Sequence, residues 1–271
     1  MDSSMNSAKE YHSAKEIDSC YNENYFHGIG SGYGSQGYEY EHADWSALVQ
    51  WVKSCLGSSI HWLDMGCAYG YLVQQASELG IDAFGLDISS YALHQIQSIR
   101  DNLVQGLTDC LPFQDHSLDV ISLFDVIEHL HNPGNVFDEV ERVLRPDGIC
   151  FLSTPDPLHF PRHEPTHVHE RPPSFWIQTF RDRGWNLSLR FGGNPYEMEM
   201  IACRSSRLDW ERIQQDFSQH HSLYKFIERQ GDDFVCIPRI HHGGNVLSDN
   251  DCLYLCNSSK DPQEYFFSLH T

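Results

Sequence analysis

The chain of 271 residues is long enough to bury a substantial core, and its 40% hydrophobic and 21% charged residues exclude a wholly disordered protein. Acidic residues outnumber basic ones by 38 to 18, and the resulting charge of −20 disfavours nucleic acids and acidic membrane surfaces as partners. Nine scattered cysteines without a C-x-x-C pair indicate reduced thiols, and no apolar run is long enough to predict a membrane span. These features predict a cytoplasmic protein.

The first 56 residues contain two segments of different character before the regular part of the chain. Residues 1–20 are polar and unpatterned, and we expect them to be flexible. From residue 21 to about residue 45, glycines alternate with tyrosines, which indicates either a surface loop or a mobile lid over a ligand. Apolar residues at helical spacing then predict a helix from Asp44 to Leu56. Residues 21–56 are therefore interpreted as a lid and its helix.

From residue 57 onward, apolar segments typical of strands alternate with amphipathic segments typical of helices. The predicted strands are 60–66, 81–89, 104–107, 118–126, 148–155 and 186–193. The predicted helices are 71–80, 90–103, 132–148 and 172–185. This alternation predicts an α/β fold in which a mostly parallel sheet is doubly wound by helices on both faces.

The end of the predicted sheet is interrupted in the sequence. A final strand is predicted at 251–258, about 60 residues beyond the preceding strand. Because connections in such folds are short, residues 194–250 are interpreted as an insertion on the substrate side. A surface excursion without function is the alternative, since long insertions cost little stability. The core is accordingly assigned to residues 57–193 and 251–271.

The first predicted strand ends in an acidic residue that is followed by a turn of small residues. Gly66, Ala68 and Gly70 follow Asp64 at alternate positions, which permits a sharp turn and the close approach of a ligand. The next strand ends in Asp87, 21 residues after Gly66, where a carboxylate can bind both hydroxyls of an adenosine ribose. Asp64 is unfavourable beside a pyrophosphate and suits the ammonium group of an amino acid.

With these residues the chain resembles the class I S-adenosylmethionine-dependent methyltransferases, whose first motif is an acidic residue followed by G-x-G-x-G. Here the motif reads Asp64-Met65-Gly66-Cys67-Ala68-Tyr69-Gly70. Residues 111–155 further resemble the subgroup that includes ubiquinone-pathway O-methyltransferases and small-molecule tailoring enzymes. The resemblance implies a seven-stranded Rossmann-like sheet with an antiparallel last strand, and S-adenosylmethionine as the cofactor.

The same resemblance implies a set of cofactor-binding residues. Asp64 is expected near the methionine ammonium and Asp87 at the ribose. Adenine is expected near Leu107 and Thr108, because Leu107 replaces an aspartate that the subgroup often carries there. The full predicted set is Asp64, Gly66, Cys67, Ala68, Gly70, Asp87, Ile88, Leu107, Thr108 and Phe124.

Acidic and histidine residues follow the predicted strand 118–126, at the sheet edge where substrate and cofactor meet in this fold class. The spacing of Asp125, Glu128 and His129 resembles the E-x-x-E-H with which ubiquinone-pathway and terminal small-RNA 2′-O-methyltransferases hold a divalent ion. This resemblance implies a Mg²⁺ site at these residues, with His167 as a fourth ligand. Alternatively, His129 acts as a base or contacts the substrate without a metal, or the pair only packs. His129 and His167 are the candidate catalytic residues.

The function that the sequence predicts is methyl transfer to an oxygen or nitrogen of a small-molecule acceptor. Residues 167–185 resemble a segment of sugar and natural-product methyltransferases, which favours a hydroxylated or amine-bearing acceptor. A terminal 2′-O RNA methyltransferase is an alternative that the D-x-x-E-H spacing supports and the dispersed basic residues oppose. A non-catalytic protein that binds an adenosyl ligand is the other alternative.

Overall fold

The computed structural model describes residues 13–29, 31, 37–38, 44–57, 59–157, 166–191, 197–204, 210 and 212–213. Its helices are α1 (Ala14–Cys20), α2 (Glu23–Phe26), α3 (Ser46–Leu56), α4 (Tyr71–Glu78), α5 (Pro133–Val143) and α6 (Pro173–Asp182). Its strands are β1 (His61–Met65), β2 (Asp82–Asp87), β3 (Leu103–Gln105), β4 (Leu118–Phe124), β5 (Leu144–Pro155), β6 (Asn186–Phe191) and β7 (Glu197–Cys203). Among the helices of this described part, none is both long and apolar enough to cross a membrane.

The seven strands form one sheet in the order β3-β2-β1-β4-β5-β7-β6. Strands β1 to β5 pair in parallel, and β7 runs antiparallel to both of its neighbours, β5 and β6. Asp64 at the end of β1 lies between Gly85 of β2 and Ser122 of β4. The predicted mostly parallel, doubly wound sheet with an antiparallel last strand is confirmed.

Helices cover both faces of this sheet and divide the core into two layers. Trp62 of β1 and Phe151 of β5 face the layer that contains α3 and α4, whereas the adjacent Leu63 and Leu152 face the layer that contains α5 and α6. Because both faces are buried, the central strands are apolar at consecutive positions, and this explains the continuous runs seen in the sequence.

The last strand lies in a different part of the chain from the one predicted. Residues 197–203, inside the segment assigned to an insertion, form β7 and complete the sheet. The insertion therefore does not begin at residue 194. The signal was present in the alternation of glutamate and methionine from Glu197 to Met200, which has the period of a strand. Of the remaining proposed insertion, Ile213 packs in the layer with α3 and α4, and the predicted strand 251–258 lies outside the described residues.

Two further segments differ from the sequence prediction. The helix expected at 90–103 is replaced by two short 3₁₀ segments, Ala92–His94 and Gln97–Asn102, separated by an extended Ile96. The N-terminal stretch expected to be flexible contains α1, whose first turn is capped by Ser13. The Ser13 hydroxyl accepts from the Glu16 amide at 3.4 Å and donates to its carboxylate at 3.1 Å. Serine followed by glutamate three residues later is a helix-start pattern that sequence inspection could have recognised.

Candidate functional site

A cavity of about 360 Å³ lies at the carboxyl ends of the parallel strands. One wall comes from the loops that follow β1, β2 and β3, and a second wall comes from the segment that follows β4. The remaining wall is aromatic and comes from the N-terminal part of the chain, which we call the N-terminal cover (residues 13–29, 31 and 37–38). Ligands of doubly wound folds bind at this edge of the sheet.

The loop after β1 is bent by residues in left-handed conformation. Gly66, Ala68 and Gly70 have φ values of 77°, 48° and 84°. The amides of Gly66 and Cys67 both donate to the carbonyl of Leu86, at 2.7 and 3.1 Å, which ties the loop to β2. A Cβ atom on Gly66 would lie 2.4 Å from a methyl group of Val126, so only glycine fits at that position without a shift.

Asp64 is a buried carboxylate at the floor of the cavity. Its Oδ1 accepts a hydrogen bond from the Ser122 hydroxyl at 2.6 Å, and the Ser122 oxygen in turn accepts from the Trp62 indole at 3.0 Å. Burial raises the pKa of Asp64 to about 7, although the Ser122 bond opposes the shift and the Asp87 carboxylate adds to it. A buried carboxylate in this state gains strongly from a cationic ligand group.

Asp87 lies at the end of β2 and links the two loops of this wall. Its carboxylate accepts from the amide of Ala68 at 2.7 Å and from the amide of Ser89 at 2.8 Å. Burial raises its pKa, while these backbone bonds favour the charged form. Each carboxylate oxygen has a second lone pair, so the group can still accept from ligand hydroxyls. Asp109, which was expected near the adenine together with Thr108, lines the cavity, as does Gly106, which the sequence did not single out.

Glu128 lies in the 3₁₀ segment Ile127–His129 and is fully buried. Its Oε2 accepts from the Thr154 hydroxyl at 3.1 Å, whereas its Oε1 has no hydrogen-bond partner in the described part of the chain. This Oε1 lies 4.0 Å from Nε2 of His129 and 4.0 Å from Nε2 of His167. Burial and the neighbouring Asp125 carboxylate raise the pKa of Glu128 well above its usual value.

The two histidines present the same ring atom to Glu128. Nδ1 of His129 bonds the carbonyl of Thr166 at 3.2 Å, and Nδ1 of His167 bonds the carboxylate of Glu170 at 2.7 Å. Both partners are hydrogen-bond acceptors, so each ring carries its proton on Nδ1, and the lone pair on Nε2 faces Glu128. Burial and the nearby His167 lower the pKa of His129 to about 3. Glu128, His129 and His167 each offer a ligand atom, and these atoms lie within 4.8 Å of one another.

Asp125 does not join this group of three. Its backbone has a φ of 54°, and its Oδ1 accepts from the Ser153 hydroxyl at 3.0 Å. Its amide also donates to the Ser153 carbonyl at 3.2 Å, so the residue is fixed against β5. The set of Asp125, Glu128, His129 and His167 expected from sequence spacing is therefore reduced to three residues in the structure.

Comparisons with known proteins find sequence similarity for the central part of the chain. A family model described as a methyltransferase domain matches residues 63–152. A probable S-adenosylmethionine-dependent methyltransferase of Mycolicibacterium smegmatis is 32% identical over 108 residues, which cover 39% of this chain and 41% of the relative. A ubiquinone biosynthesis O-methyltransferase of Paraburkholderia phymatum is 30% identical over 99 residues, 34% of this chain and 43% of the relative. The match thus spans less than half the length of these relatives.

Residues 63–152 thus have the sequence of a methyltransferase domain. The fold agrees, because the solved structure of an S-adenosylmethionine-dependent methyltransferase from Archaeoglobus fulgidus superposes with a TM-score of 0.51 at 16% identity. That superposition covers 58% of this chain and 91% of the other. The buried carboxylates of Asp64 and Asp87 have the chemistry to bind an ammonium group and a pair of hydroxyl groups of a ligand.

The predicted cofactor residues of the methyltransferase domain lie together in the structure. Nine of the ten line the cavity: Asp64, Gly66, Cys67, Ala68, Asp87, Ile88, Leu107, Thr108 and Phe124. The tenth, Gly70, precedes α4 and acts through the backbone turn. His129 lines the same cavity, and His167 contacts its ring with the centroids 4.8 Å apart.

The sequence left residues 21–45 as either a surface loop or a lid over a ligand, and the structure places several residues of the N-terminal cover in the cavity lining. These residues are Ile17, Tyr21, Tyr25, Phe26 and Tyr38. The cover is held on the turn after Asp87, where the Asp18 carboxylate accepts from the Ser90 amide at 2.8 Å and the Tyr21 carbonyl accepts from the Ser89 hydroxyl at 2.5 Å. The tyrosine content of residues 21–45 was the available signal, and it did not specify which rings face the ligand.

Proposed function

We propose that this protein transfers the methyl group of S-adenosylmethionine to a hydroxyl oxygen of a small-molecule acceptor, with a divalent cation bound at Glu128, His129 and His167. The observation that carries the proposal is the buried, unpartnered Oε1 of Glu128, which lies 4.0 Å from Nε2 of His129, a residue that lines the same cavity as Asp64 and Asp87. The names of relatives that are O-methyltransferases support oxygen as the acceptor atom. The resemblance of residues 167–185 supports a sugar-like or natural-product acceptor.

The cofactor half of the reaction depends on binding and orientation. S-adenosylmethionine supplies a methyl group on a sulfonium, which is displaced in line by the nucleophile. Asp64 binds the ammonium of the cofactor, and Asp87 binds its ribose. The bent loop at Gly66 allows the close approach of the ligand, and the aromatic rings of the N-terminal cover exclude water from the cavity.

The three residues around Glu128 have the properties of a metal site. The separation of 4.0 Å between Oε1 and each Nε2 is too long for a hydrogen bond. Ligand atoms of a tetrahedral ion with bonds of about 2.1 Å lie about 3.4 Å apart, so these three residues would hold a cation after a small inward shift of their side chains. Without a cation, the buried Oε1 would remain unpartnered at a cost of about 1–3 kcal/mol or more. A bound cation would lower the pKa of the acceptor hydroxyl.

The ligand atoms of Glu128, His129 and His167 suit a different ion from the Mg²⁺ that the sequence resemblance implied. One carboxylate oxygen and two imidazole nitrogens suit Zn²⁺, Mn²⁺, Fe²⁺ or Co²⁺ better than Mg²⁺, which prefers oxygen ligands. The role of His129 changes as well, because Nε2 serves either as a metal ligand or as a proton acceptor and not as both. Nε2 of His129 lies 4.0 Å from the unpartnered Oε1 of Glu128, and this favours the ligand role.

The test combines metal binding with methyl transfer. The purified chain, stripped by a chelator, is titrated calorimetrically with Zn²⁺, Mn²⁺ and Mg²⁺, and its transfer of radiolabelled methyl groups into a panel of hydroxylated small molecules is then measured. We expect Glu128→Gln to lose metal binding and Asp125→Asn to retain it, since only Glu128 belongs to the group of three. Equal loss in both variants would restore the four-residue set, and methyl transfer unaffected by the chelator would refute the metal.

The charge of the cavity lining argues against the alternative of an RNA methyltransferase. No lysine or arginine occurs among the described residues that line the cavity, although phosphate binding depends on such residues. We therefore expect no electrophoretic shift of RNA at low salt. Two results together would favour the alternative. RNA would shift with the Asp87→Ala variant as it does with the wild type, and the wild type would transfer a methyl group to the RNA terminus.

A further inference from the structure

The amino-acid end of the cofactor carries a carboxylate as well as an ammonium group, and four of the five backbone amides of residues 66–70 already have acceptors. The amides of Gly66 and Cys67 donate to Leu86, and the amide of Ala68 donates to Asp87. The amide of the last residue before α4 donates to the carbonyl of Cys67 at 2.8 Å. A backbone amide carries one proton, so these groups already have their partners.

The charges of the cavity do not compensate for this shortage. Asp64 and Asp87 are both acidic, and the described lining residues include no lysine or arginine. A ligand carboxylate placed near two protein carboxylates is destabilised unless hydrogen-bond donors are provided. Side-chain hydroxyl groups are the donors of this kind that can approach from the side of the N-terminal cover.

We infer that the hydroxyl group of Tyr38 binds the carboxylate at the methionine end of S-adenosylmethionine. This inference rests on the proposed function and adds a cofactor-binding residue from outside the methyltransferase domain. Tyr38 lines the cavity together with Asp64, Gly66 and Cys67, which are the residues of the methionine side. No sequence motif marks it.

The ring of Tyr38 is held in a defined position. It stacks on Tyr71, the first residue of α4, with the centroids 5.7 Å apart and an interplanar angle of 6°. It also packs edge-on against Tyr69 at 5.0 Å and Phe26 at 5.7 Å. These contacts place the ring directly over the turn that leads into α4, where the amino-acid end of the ligand is expected.

The backbone next to Tyr38 is fixed as firmly as its ring. The Tyr38 amide donates to the carbonyl of Phe26 at 2.8 Å. Gly37 has a φ of 74°, and a Cβ atom there would lie 2.7 Å from the same carbonyl oxygen. The chain therefore approaches α2 so closely that only glycine fits, and this approach sets the position from which Tyr38 enters the cavity.

The electrostatic environment keeps the hydroxyl in its donor form. Burial raises the pKa of Tyr38 well above its usual value, and the carboxylates of Asp64 and Asp87 add to the shift. The phenol therefore retains its proton near neutral pH. A protonated phenol donates one hydrogen bond, which is what a carboxylate accepts.

The test uses two ligands that differ only in the carboxylate. Calorimetry measures the affinity of the full chain for S-adenosylhomocysteine and for S-adenosyl-3-thiopropylamine, which is the same molecule without its carboxylate. Tyr38→Phe keeps the ring and removes the hydroxyl. Its affinity for S-adenosylhomocysteine should fall by about tenfold or more, as expected for a hydrogen bond to a charged group, while its affinity for the decarboxylated ligand stays within about twofold of wild type.

A matched control comes from the same aromatic cluster. Tyr91 packs against Phe26 and Tyr69 but is not among the residues that line the cavity, so Tyr91→Phe should leave both affinities unchanged. Equal losses for both ligands in Tyr38→Phe, or no loss for either, would overturn the inference. Failure of the wild-type protein to bind either ligand would instead refute the proposed function on which the inference rests.

Discussion

Replacing Asp64 by asparagine should stabilise the ligand-free protein at neutral pH and weaken its binding of S-adenosylmethionine. Asparagine has nearly the same shape, and its side-chain oxygen can still accept the hydrogen bond from Ser122. The substitution therefore removes the charge and retains the packing. The two effects have opposite signs because the carboxylate is unfavourable in the empty cavity and favourable beside the ammonium of the cofactor.

The size of the stabilisation follows from the pKa of Asp64. The carboxyl titrates near 3.8 in the unfolded chain, and burial raises its pKa to about 7 in the folded protein. Between these values the unfolded state has lost a proton that the folded state keeps, so the free energy of unfolding falls as the pH rises. At about 1.4 kcal/mol per pH unit, the wild type is destabilised by roughly 4 kcal/mol at pH 7 and above. Asparagine lacks this dependence.

Urea unfolding of both proteins, followed by tryptophan fluorescence between about pH 5 and pH 8, measures the difference. The difference should grow with pH and level off above about pH 7, where Asp64 is ionised in the folded protein as well as in the unfolded chain. Calorimetry should show that the wild-type affinity for S-adenosylmethionine rises toward pH 7 and that the variant binds more weakly. A difference in unfolding free energy that is independent of pH, or equal cofactor affinities, would refute the reasoning.

Three other substitutions test separate parts of the site. Asp87→Ala should weaken S-adenosylmethionine binding by about a hundredfold, as measured by calorimetry, and an unchanged affinity would remove the ribose assignment. Gly66→Ala should lower the free energy of unfolding by about 3 kcal/mol or more, because the new Cβ atom meets Val126. Gly80→Ala, at a position with a φ of 79° and open space around it, should lower it by only about 1–2 kcal/mol. Equal urea midpoints for the two variants would contradict this. Asp18→Ala should accelerate proteolysis of the N-terminal cover, and an unchanged cleavage rate would show that this contact does not hold it.

The cofactor-binding residues could be predicted from the sequence because local features of the chain specify them. Asp64 and Asp87 each end a buried apolar strand, and a turn of small residues follows the first. Neighbouring parallel strands bring such ends together at one edge, so their proximity follows from the strand pattern alone. The position of β7 could have been predicted in the same way, from the alternation that begins at Glu197.

The features that escaped prediction depend on packing between distant segments. Tyr38 enters the cavity because Gly37 turns the chain against α2, and a glycine-tyrosine segment has no periodicity from which to infer this. Residue spacing placed Asp125 with Glu128, but the backbone of Asp125 adopts a positive φ and its carboxylate binds Ser153. The spacing of residues along the chain indicates which residues are neighbours, but it does not indicate the direction in which each side chain points.

The hydrogen-bonded series from Trp62 through Ser122 to Asp64 has a consequence for attempts to redesign ligand preference. Exchanging Asp64 for glycine, to admit a dinucleotide phosphate, would leave the Ser122 hydroxyl without its acceptor beneath the pocket. The indole of Trp62, which is fully enclosed in the layer with α3 and α4, depends on that same hydroxyl. Conversion to a different nucleotide would therefore require coordinated replacement of a pocket residue, a strand residue and a core tryptophan.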